Sequence, residues 1–196
     1  MSEILSSDVI TIVSGLPRSG TSMMMKMLVA GGLEILSDQI READNDNPGG
    51  YYEFEPVKQL KEGVADWLPR AVGKTVKVIA TLLPYLPPTH HYQVIFMQRA
   101  MPEILASQRR MLIARGKDPD AIPDDEMARI FNIHLNNVLA WVKGQRNVSF
   151  LEVSYNDMLR NPTPNVERID LFLGGRLNTS AMLEVIDPGL YRQREK

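Results

Sequence analysis

The sequence has no cysteine, no long apolar run and almost no net charge, and each absence excludes a class of protein. Without cysteine, thiol catalysis, Cys-based zinc sites and disulfides are excluded. A net charge of −2 creates no overall field that would attract nucleic acid or an anionic membrane. The apolar stretch near the polar N-terminus is too short to span a bilayer, and nothing there is typical of a signal peptide. We therefore expect a cytoplasmic protein with no membrane span and no nucleic-acid partner.

The composition is that of an ordinary globular protein. Hydrophobic residues make up 44% of the 196 residues and charged residues make up 23%. This amount of apolar material can form a full core without a disulfide or a structural metal. The length predicts one domain that spans residues 1–196.

The order of the apolar segments predicts a parallel β-sheet flanked by helices. Short apolar runs typical of buried strands occur at 9–13, 76–81, 92–97 and 148–153. Segments with helical character alternate with them at 22–30, 102–115 and 124–142. This alternation is typical of an α/β fold with helices on both faces of a parallel sheet.

The turn between the first strand and the first helix has the features of an anion-binding loop. It reads Gly15-Leu16-Pro17-Arg18-Ser19-Gly20-Thr21-Ser22. The first turn of a helix leaves backbone N–H groups unpaired, and the helix dipole adds about half a positive charge there. The two glycines let the backbone bend tightly around an anion, and the three hydroxyl side chains can donate further hydrogen bonds. The segment therefore predicts a phosphate-binding loop.

This loop differs from the ATP-binding loop of nucleotide kinases at one position. The kinase loop reads Gly-x-x-x-x-Gly-Lys-(Ser/Thr), and the spacing of Gly15 and Gly20 is the same. The lysine position is Thr21, however, and the positive charge lies three residues earlier, at Arg18. An ATPase uses that lysine at the β- and γ-phosphates, so its absence weakens the ATP interpretation.

The same residues resemble a different family. The segment Pro17-Arg18-Ser19-Gly20-Thr21-Ser22 matches the form Pro-(Lys/Arg)-Ser-Gly-Thr-(Thr/Ser), which is the 5′-phosphosulfate loop of the sulfotransferases. The resemblance implies that these six residues bind the donor 3′-phosphoadenosine 5′-phosphosulfate, which leaves as adenosine 3′,5′-bisphosphate. It also implies that Arg18 stabilises charge on the sulfonate as it separates, and that no metal takes part.

A second element of the resemblance concerns the 3′-phosphate of the donor. The family binds it with an arginine at the end of a strand and a serine eight positions later, and Arg99 and Ser107 have this spacing. A guanidinium fork suits a phosphate because it donates two hydrogen bonds in fixed geometry. Near the C-terminus, Arg192 resembles a residue of the basic tail that closes over the donor.

The resemblance implies a base that removes a proton from the acceptor. The histidine that many members use is missing from residues 76–84, although Lys77 remains and could assist the sulfonate. Residues 47–53 resemble the bacterial segment Asn-Pro-x-Gly-(Phe/Tyr)-(Phe/Tyr)-Glu, which makes Glu53 the candidate base and Glu55 the second candidate. The histidines form no metal-ligand cluster, and no metal site is expected.

Three functions stay open at this point. The first is a sulfotransferase that acts on a hydroxyl or amine of an unidentified small molecule or glycan. The second is a P-loop nucleotide or small-molecule kinase that uses ATP and magnesium. The third is a non-catalytic nucleotide-binding module on the same scaffold.

Overall fold

A computed structural model describes residues 9–38 and 50–186 of the chain. Arg192 and residues 47–49 of the segment that precedes Glu53 lie outside the described residues.

Four parallel strands form one sheet in the order β2–β1–β3–β4. Their bounds are Val9–Gly15 for β1, Thr75–Lys77 for β2, His91–Gln98 for β3 and Val148–Ser154 for β4. All three neighbouring pairs are parallel, and the β1–β3 register runs from Val9 opposite His91 to Gly15 opposite Met97. The predicted parallel α/β sheet is therefore confirmed.

The connections between strands are helical. The helices in the described part of the chain are α1 (Thr21–Ala30), α2 (Leu68–Ala71), α3 (Met101–Ala114), α4 (Asp124–Lys143), α5 (Tyr155–Arg160), α6 (Pro162–Phe172) and α7 (Thr179–Glu184). Two 3₁₀ segments lie at Glu55–Glu62 and Ala80–Tyr85. The helix α1 directly follows β1, and α3 directly follows β3, so the carboxyl ends of the two central strands each lead into a helix.

The central strands β1 and β3 are buried on both faces because their side chains alternate between two apolar layers. On one face, Ile10 and Ile12 of β1 pack with the 3₁₀ segments, α2 and α4. On the other face, Val13 of β1 and Ile95 of β3 pack with α1, α5, α6 and α7. Successive residues of a strand point to opposite faces, so strands that are apolar at nearly every position need cover on both.

One predicted strand is shorter than its apolar run. The sequence predicts a strand over 76–81, but β2 ends at Lys77, and Ala80–Tyr85 forms a 3₁₀ segment. The backbone N–H of Val78 still donates to the carbonyl of Val13, at 3.0 Å, before the chain leaves the sheet. Lys77 therefore lies at the carboxyl end of its strand, beside the loop that follows β1.

Candidate functional site

The loop between β1 and α1 has a backbone shape that requires its two glycines. Gly15 has φ of 150°, and a Cβ there would lie 2.5 Å from Ser19 Oγ and 2.6 Å from the carbonyl oxygen of Met97. Gly20 has φ of 98°, and a Cβ there would collide with the ring of Tyr155. Both values lie in the region of φ that glycine alone adopts at little cost. The conformation of the loop is therefore set by close backbone contacts at each of its ends.

The backbone of this loop leaves hydrogen-bond donors at the start of α1. The N–H of Ser19 donates to the carbonyl of Leu16 at 3.2 Å, and the N–H of Met24 donates to the carbonyl of Gly20 at 3.1 Å. The N–H groups of Gly20 to Met23 precede that first helical bond, so they lie outside the ladder of α1. The first turn of α1 also contains no acidic residue. This arrangement favours an anion at the end of the helix.

The hydroxyl of Ser19 is buried under the loop. Ser19 is 1% exposed, and its hydroxyl oxygen has no hydrogen-bond partner among the described residues. An unpaired buried hydroxyl is costly, so such groups in native proteins are usually satisfied by a partner, water or a bound ligand. This hydroxyl lies beneath the loop, 2.5 Å from the position that a Cβ of Gly15 would occupy.

The side chain of Arg18 connects the loop to helix α3. Arg18 has φ of 70°, in the left-handed region, and its Nε donates to Ser107 Oγ at 2.9 Å. Ser107 is buried in the second turn of α3. Two residues that the resemblance assigns to different phosphates of one nucleotide are therefore in direct contact.

Arg99 lies behind the loop in a buried ion pair. Its Nε donates to Glu103 Oε2 at 2.9 Å, and its Nη1 donates to the carbonyl of Arg18 at 3.1 Å. The side chain of Arg99 is 8% exposed and that of Glu103 is 2% exposed. The guanidinium carbon also lies 4.5 Å from the ring centroid of Tyr155, in a cation–π contact. Arg99 therefore supports the backbone of the loop from the side of β3.

Asn156 completes this buried network from the start of α5. Its Nδ2 donates to Glu103 Oε1 at 2.9 Å, and its Oδ1 accepts from the N–H of Ala100 at 3.2 Å. The two carboxylate oxygens of Glu103 thus have different partners, Arg99 on one and Asn156 on the other. Such pairing offsets the large cost of removing a carboxylate from water.

Lys77 connects the first turn of α1 to the segment that begins at Gly50. Its Nζ donates to Ser22 Oγ at 3.1 Å and to the carbonyl of Tyr51 at 2.9 Å. The next residue, Tyr52, has φ of 51°, which is unusual for a bulky side chain, and burial raises the pKa of its hydroxyl. The backbone before Glu53 is thus bonded to the loop through one ammonium group.

Glu53 and Glu55 have different surroundings, although they are two residues apart. The carbonyl of Glu53 accepts from the N–H of Asp38 at 3.2 Å, and its side chain is partly exposed. Glu55 begins a 3₁₀ segment, and its carboxylate forms an ion pair with exposed Lys58 at 2.5 Å. The carboxylate of Glu55 is therefore paired with a surface lysine. Glu53 lies closer in sequence to Tyr51, whose carbonyl accepts from Lys77.

Comparison with solved structures shows which fold has this arrangement. The sulfotransferase domain of the Synechococcus PCC 7002 olefin synthase superposes with a TM-score of 0.54 at 15% identity, covering 96% of this chain and 88% of that domain. The chain has the sulfotransferase fold. The sulfotransferase domain of the curacin biosynthetic pathway gives 0.50 at 13% identity, with 95% and 78% coverage. Mouse sulfotransferase SULT7A1 in complex with PAP gives 0.51 at 19% identity, with 91% of this chain and 62% of the mouse chain covered.

Beyond the short motifs, the likeness to these sulfotransferases is one of fold, at 13–19% identity. No protein-family model matches the chain. No curated protein matches it either.

Within this fold, the structure groups the residues that the sequence predicts into two contacting sets. Arg18, Ser107 and Arg99 form one set, joined through the loop backbone. Lys77 and Ser22 form the other, beside Tyr51. Between the two sets, Pro17 and Gly20 lie in the loop, and Thr21 is the first residue of α1.

Three residues of the site are not evident from the sequence motifs. Glu103 lies four positions after Arg99, but Arg99 precedes α3, so the spacing of ion pairs on a helix does not apply to this pair. Tyr155 and Asn156 directly follow β4, and no local pattern connects them to Arg99.

Within residues 9–38 and 50–186, no group of three or more histidine, aspartate or glutamate side chains is arranged to hold a metal ion. None of the helices described there combines the length and apolar character needed to cross a membrane.

Proposed function

We propose that this protein transfers a sulfonate group from 3′-phosphoadenosine 5′-phosphosulfate to a hydroxyl or amine of an acceptor. The observation that carries the proposal is the anion cradle at the end of β1. It combines the tight turn at Gly15 and Gly20, the positive end of the α1 dipole and the nearby guanidinium of Arg18. The mouse sulfotransferase with the same fold was solved with PAP, which is consistent with a 3′,5′-bisphosphate ligand.

Donor recognition in this proposal separates the 5′- and 3′-phosphates. The loop from Pro17 to Ser22 binds the 5′-phosphosulfate, and Arg99 and Ser107 bind the 3′-phosphate. The hydrogen bonds of Arg99 to Glu103 and to the Arg18 carbonyl do not use Nη2, and no described residue accepts a hydrogen bond from that nitrogen. Nη2 is therefore the donor of Arg99 that remains for a ligand. Arg192 is proposed to contact the donor from the C-terminal segment.

The chemical step forms a bond from the acceptor oxygen or nitrogen to sulfur while the bond from sulfur to the 5′-phosphate oxygen breaks. The acceptor proton passes to the carboxylate of Glu53. Arg18 and Lys77 stabilise negative charge on the sulfonate and on the departing bisphosphate, because pre-oriented cations lower the energy of such a transition state. The proposal requires no metal, and the cytoplasmic location expected from the sequence stays a prediction.

One contact argues against the kinase alternative. In an ATP-binding loop the hydroxyl that corresponds to Ser22 coordinates magnesium. Here the ammonium of Lys77 donates to that hydroxyl at 3.1 Å. A divalent cation at the same oxygen would lie next to a positive charge, which is unfavourable at this distance. The non-catalytic alternative differs from the proposal only in the absence of turnover, so an acceptor screen separates them.

The test of donor recognition is isothermal titration with adenosine 3′,5′-bisphosphate, adenosine 5′-monophosphate and ATP–Mg²⁺. We expect the bisphosphate to bind most tightly, and at 100 times its dissociation constant to stabilise the fold by about 2.7 kcal/mol. Arg99→Ala should weaken bisphosphate binding by about 1.5–3 kcal/mol, the usual contribution of a charged hydrogen bond.

Arg109→Ala is the matched control, because Arg109 lies on α3 and forms an exposed ion pair with Asp120 at 2.6 Å. It should bind the bisphosphate as the parent does. Arg99→Lys keeps the charge without the fork and covers the case in which the alanine variant does not fold. Tighter binding of ATP–Mg²⁺ than of the bisphosphate by the parent would refute the proposed donor.

A further inference from the structure

The orientation of Arg99 depends on a residue 57 positions away that has no place in the sequence motifs. We propose that Asn156 is a positioning residue: it holds Glu103 on a single nitrogen of Arg99 and so keeps Nη2 available for the 3′-phosphate of the nucleotide. This inference rests on the proposed function and adds to it a determinant of donor specificity.

The amide of Asn156 can take only one orientation in this network. Its Nδ2 faces the carboxylate oxygen Oε1 of Glu103 at 2.9 Å, and its Oδ1 faces the N–H of Ala100 at 3.2 Å. A flipped amide would set oxygen against carboxylate and NH₂ against N–H, so both bonds would become repulsive. Asn156 therefore ties the carboxylate to the start of α3.

The hydrogen bond from Asn156 prevents Glu103 from adopting a second pairing geometry with Arg99. A carboxylate beside arginine favours a bidentate arrangement in which its two oxygens accept from Nε and one terminal nitrogen. In this structure Oε2 accepts from Nε of Arg99, and Oε1 is turned to Asn156. Without Asn156, Oε1 would lose the amide donor that turns it away from Arg99, and a bidentate pairing with Nε and Nη2 would become accessible.

The remaining contacts of Arg99 prevent the guanidinium from rotating away from Glu103. Nη1 donates to the Arg18 carbonyl at 3.1 Å, and the ring of Tyr155 lies against the guanidinium at 4.5 Å. The plane of the guanidinium is therefore fixed. A bidentate Glu103 would take the nitrogen that the 3′-phosphate needs, and it would do so without any change in net charge.

The test compares the ratio of two affinities in the parent and in Asn156→Ala, both measured by isothermal titration. The ligands are adenosine 3′,5′-bisphosphate and adenosine 5′-monophosphate, which differ only in the 3′-phosphate. We expect Asn156→Ala to weaken the bisphosphate about 10- to 100-fold, the equivalent of one charged hydrogen bond. The monophosphate should change less than about threefold, since the phosphate loop itself is intact.

The control is Asn147→Ala. Asn147 precedes β4 at the opposite end of the strand from α5, and its Nδ2 donates to the His90 carbonyl at 2.8 Å. This variant also loses a partly buried asparagine hydrogen bond, so it should lower the melting temperature while leaving the affinity ratio unchanged. If Asn156 had only a structural role, Asn156→Ala would likewise lower the melting temperature and leave the affinity ratio unchanged.

A double variant tests the mechanism itself. An amide at position 103 has one acceptor oxygen and cannot pair with two nitrogens, so Glu103→Gln should remove the effect of Asn156→Ala on the ratio. If Asn156→Ala fails to fold, Asn156→Leu, which fills a similar space, takes its place.

The outcomes separate this inference from the proposed function. A parent that does not prefer the bisphosphate overturns both. A parent that prefers the bisphosphate, together with an unchanged ratio in the folded Asn156 variant, overturns the role of Asn156 alone. A double variant as weak for the bisphosphate as Asn156→Ala overturns the bidentate explanation.

Discussion

Gly20→Ala tests whether the phosphate loop has room for any side chain at the start of α1. Two costs add at this position. An L-residue at φ of 98° meets backbone strain of about 1–2 kcal/mol. The new methyl group would also overlap the Tyr155 ring, and overpacking of a buried site costs about 1–3 kcal/mol. The sum is a loss of about 2–5 kcal/mol in the free energy of unfolding, which is a large part of the 5–15 kcal/mol typical of a domain.

Gly63→Ala separates the two costs because it shares only the first. Gly63 ends a 3₁₀ segment with φ of 80°, and nothing lies within 4 Å of the position that a Cβ would occupy. We expect urea unfolding to show a loss of about 1–2 kcal/mol for Gly63→Ala and a clearly larger loss for Gly20→Ala. Only the Gly20 variant should also lose stabilisation by adenosine 3′,5′-bisphosphate. Equal losses in the two variants would show that Tyr155 does not limit the loop.

Three further predictions concern charge and proton transfer. Arg18→Ala should lower the turnover of any acceptor found more than it lowers donor affinity, because its charge matters most as the sulfonate separates; equal losses in kcat and affinity would contradict this. Glu53→Gln should abolish transfer and keep nucleotide binding, as titration would show, whereas Glu55→Gln should be active; an active Glu53 variant would move the base elsewhere. Burial raises the pKa of Tyr92, whose hydroxyl donates to the Pro87 carbonyl at 2.9 Å. The neutral hydroxyl of Tyr92 therefore makes its full contribution to the free energy of unfolding below the unfolded pKa of about 10. This contribution is lost as the pH rises above that value. Urea unfolding at pH 8 and pH 10.5 should show a smaller alkaline loss for Tyr92→Phe than for the parent, and equal losses would contradict the assignment.

The central strands and the long helices could be predicted because burial on both faces leaves a strong signal. The apolar run at 9–13 lies within β1, and the helix expected at 124–142 is α4, one residue longer at its end. The strand predicted over 76–81 is wrong beyond Lys77, because a short apolar segment fits a strand and a buried 3₁₀ turn equally well. Ala80–Tyr85 contains Pro84, which has no N–H for a sheet ladder. One domain over residues 1–196 stays a prediction.

The candidate site was predictable where its residues are close in sequence and unpredictable where they are not. The loop from Pro17 to Ser22 and the pair Arg99 and Ser107 are indicated by the resemblance to the family's motifs, and their roles as ligands stay predictions. The bond from Lys77 to Ser22 spans 55 positions, and the bond from Asn156 to Glu103 spans 53. Such contacts depend on which strands are neighbours in the sheet, and a single sequence carries no local signal for that order.

The layer of the core that contains α1 is rich in methionine, and this gives the chain a built-in chemical probe. Met24, Met25 and Met27 are fully buried there, together with Met97, Met158 and Met182. Because the chain has no cysteine, mild peroxide acts mainly on its methionine thioethers, which it converts to polar sulfoxides. Buried thioethers react only when their surroundings open. The rate of sulfoxide formation at each of these positions, read by mass spectrometry, therefore reports how often the packing behind the phosphate loop opens.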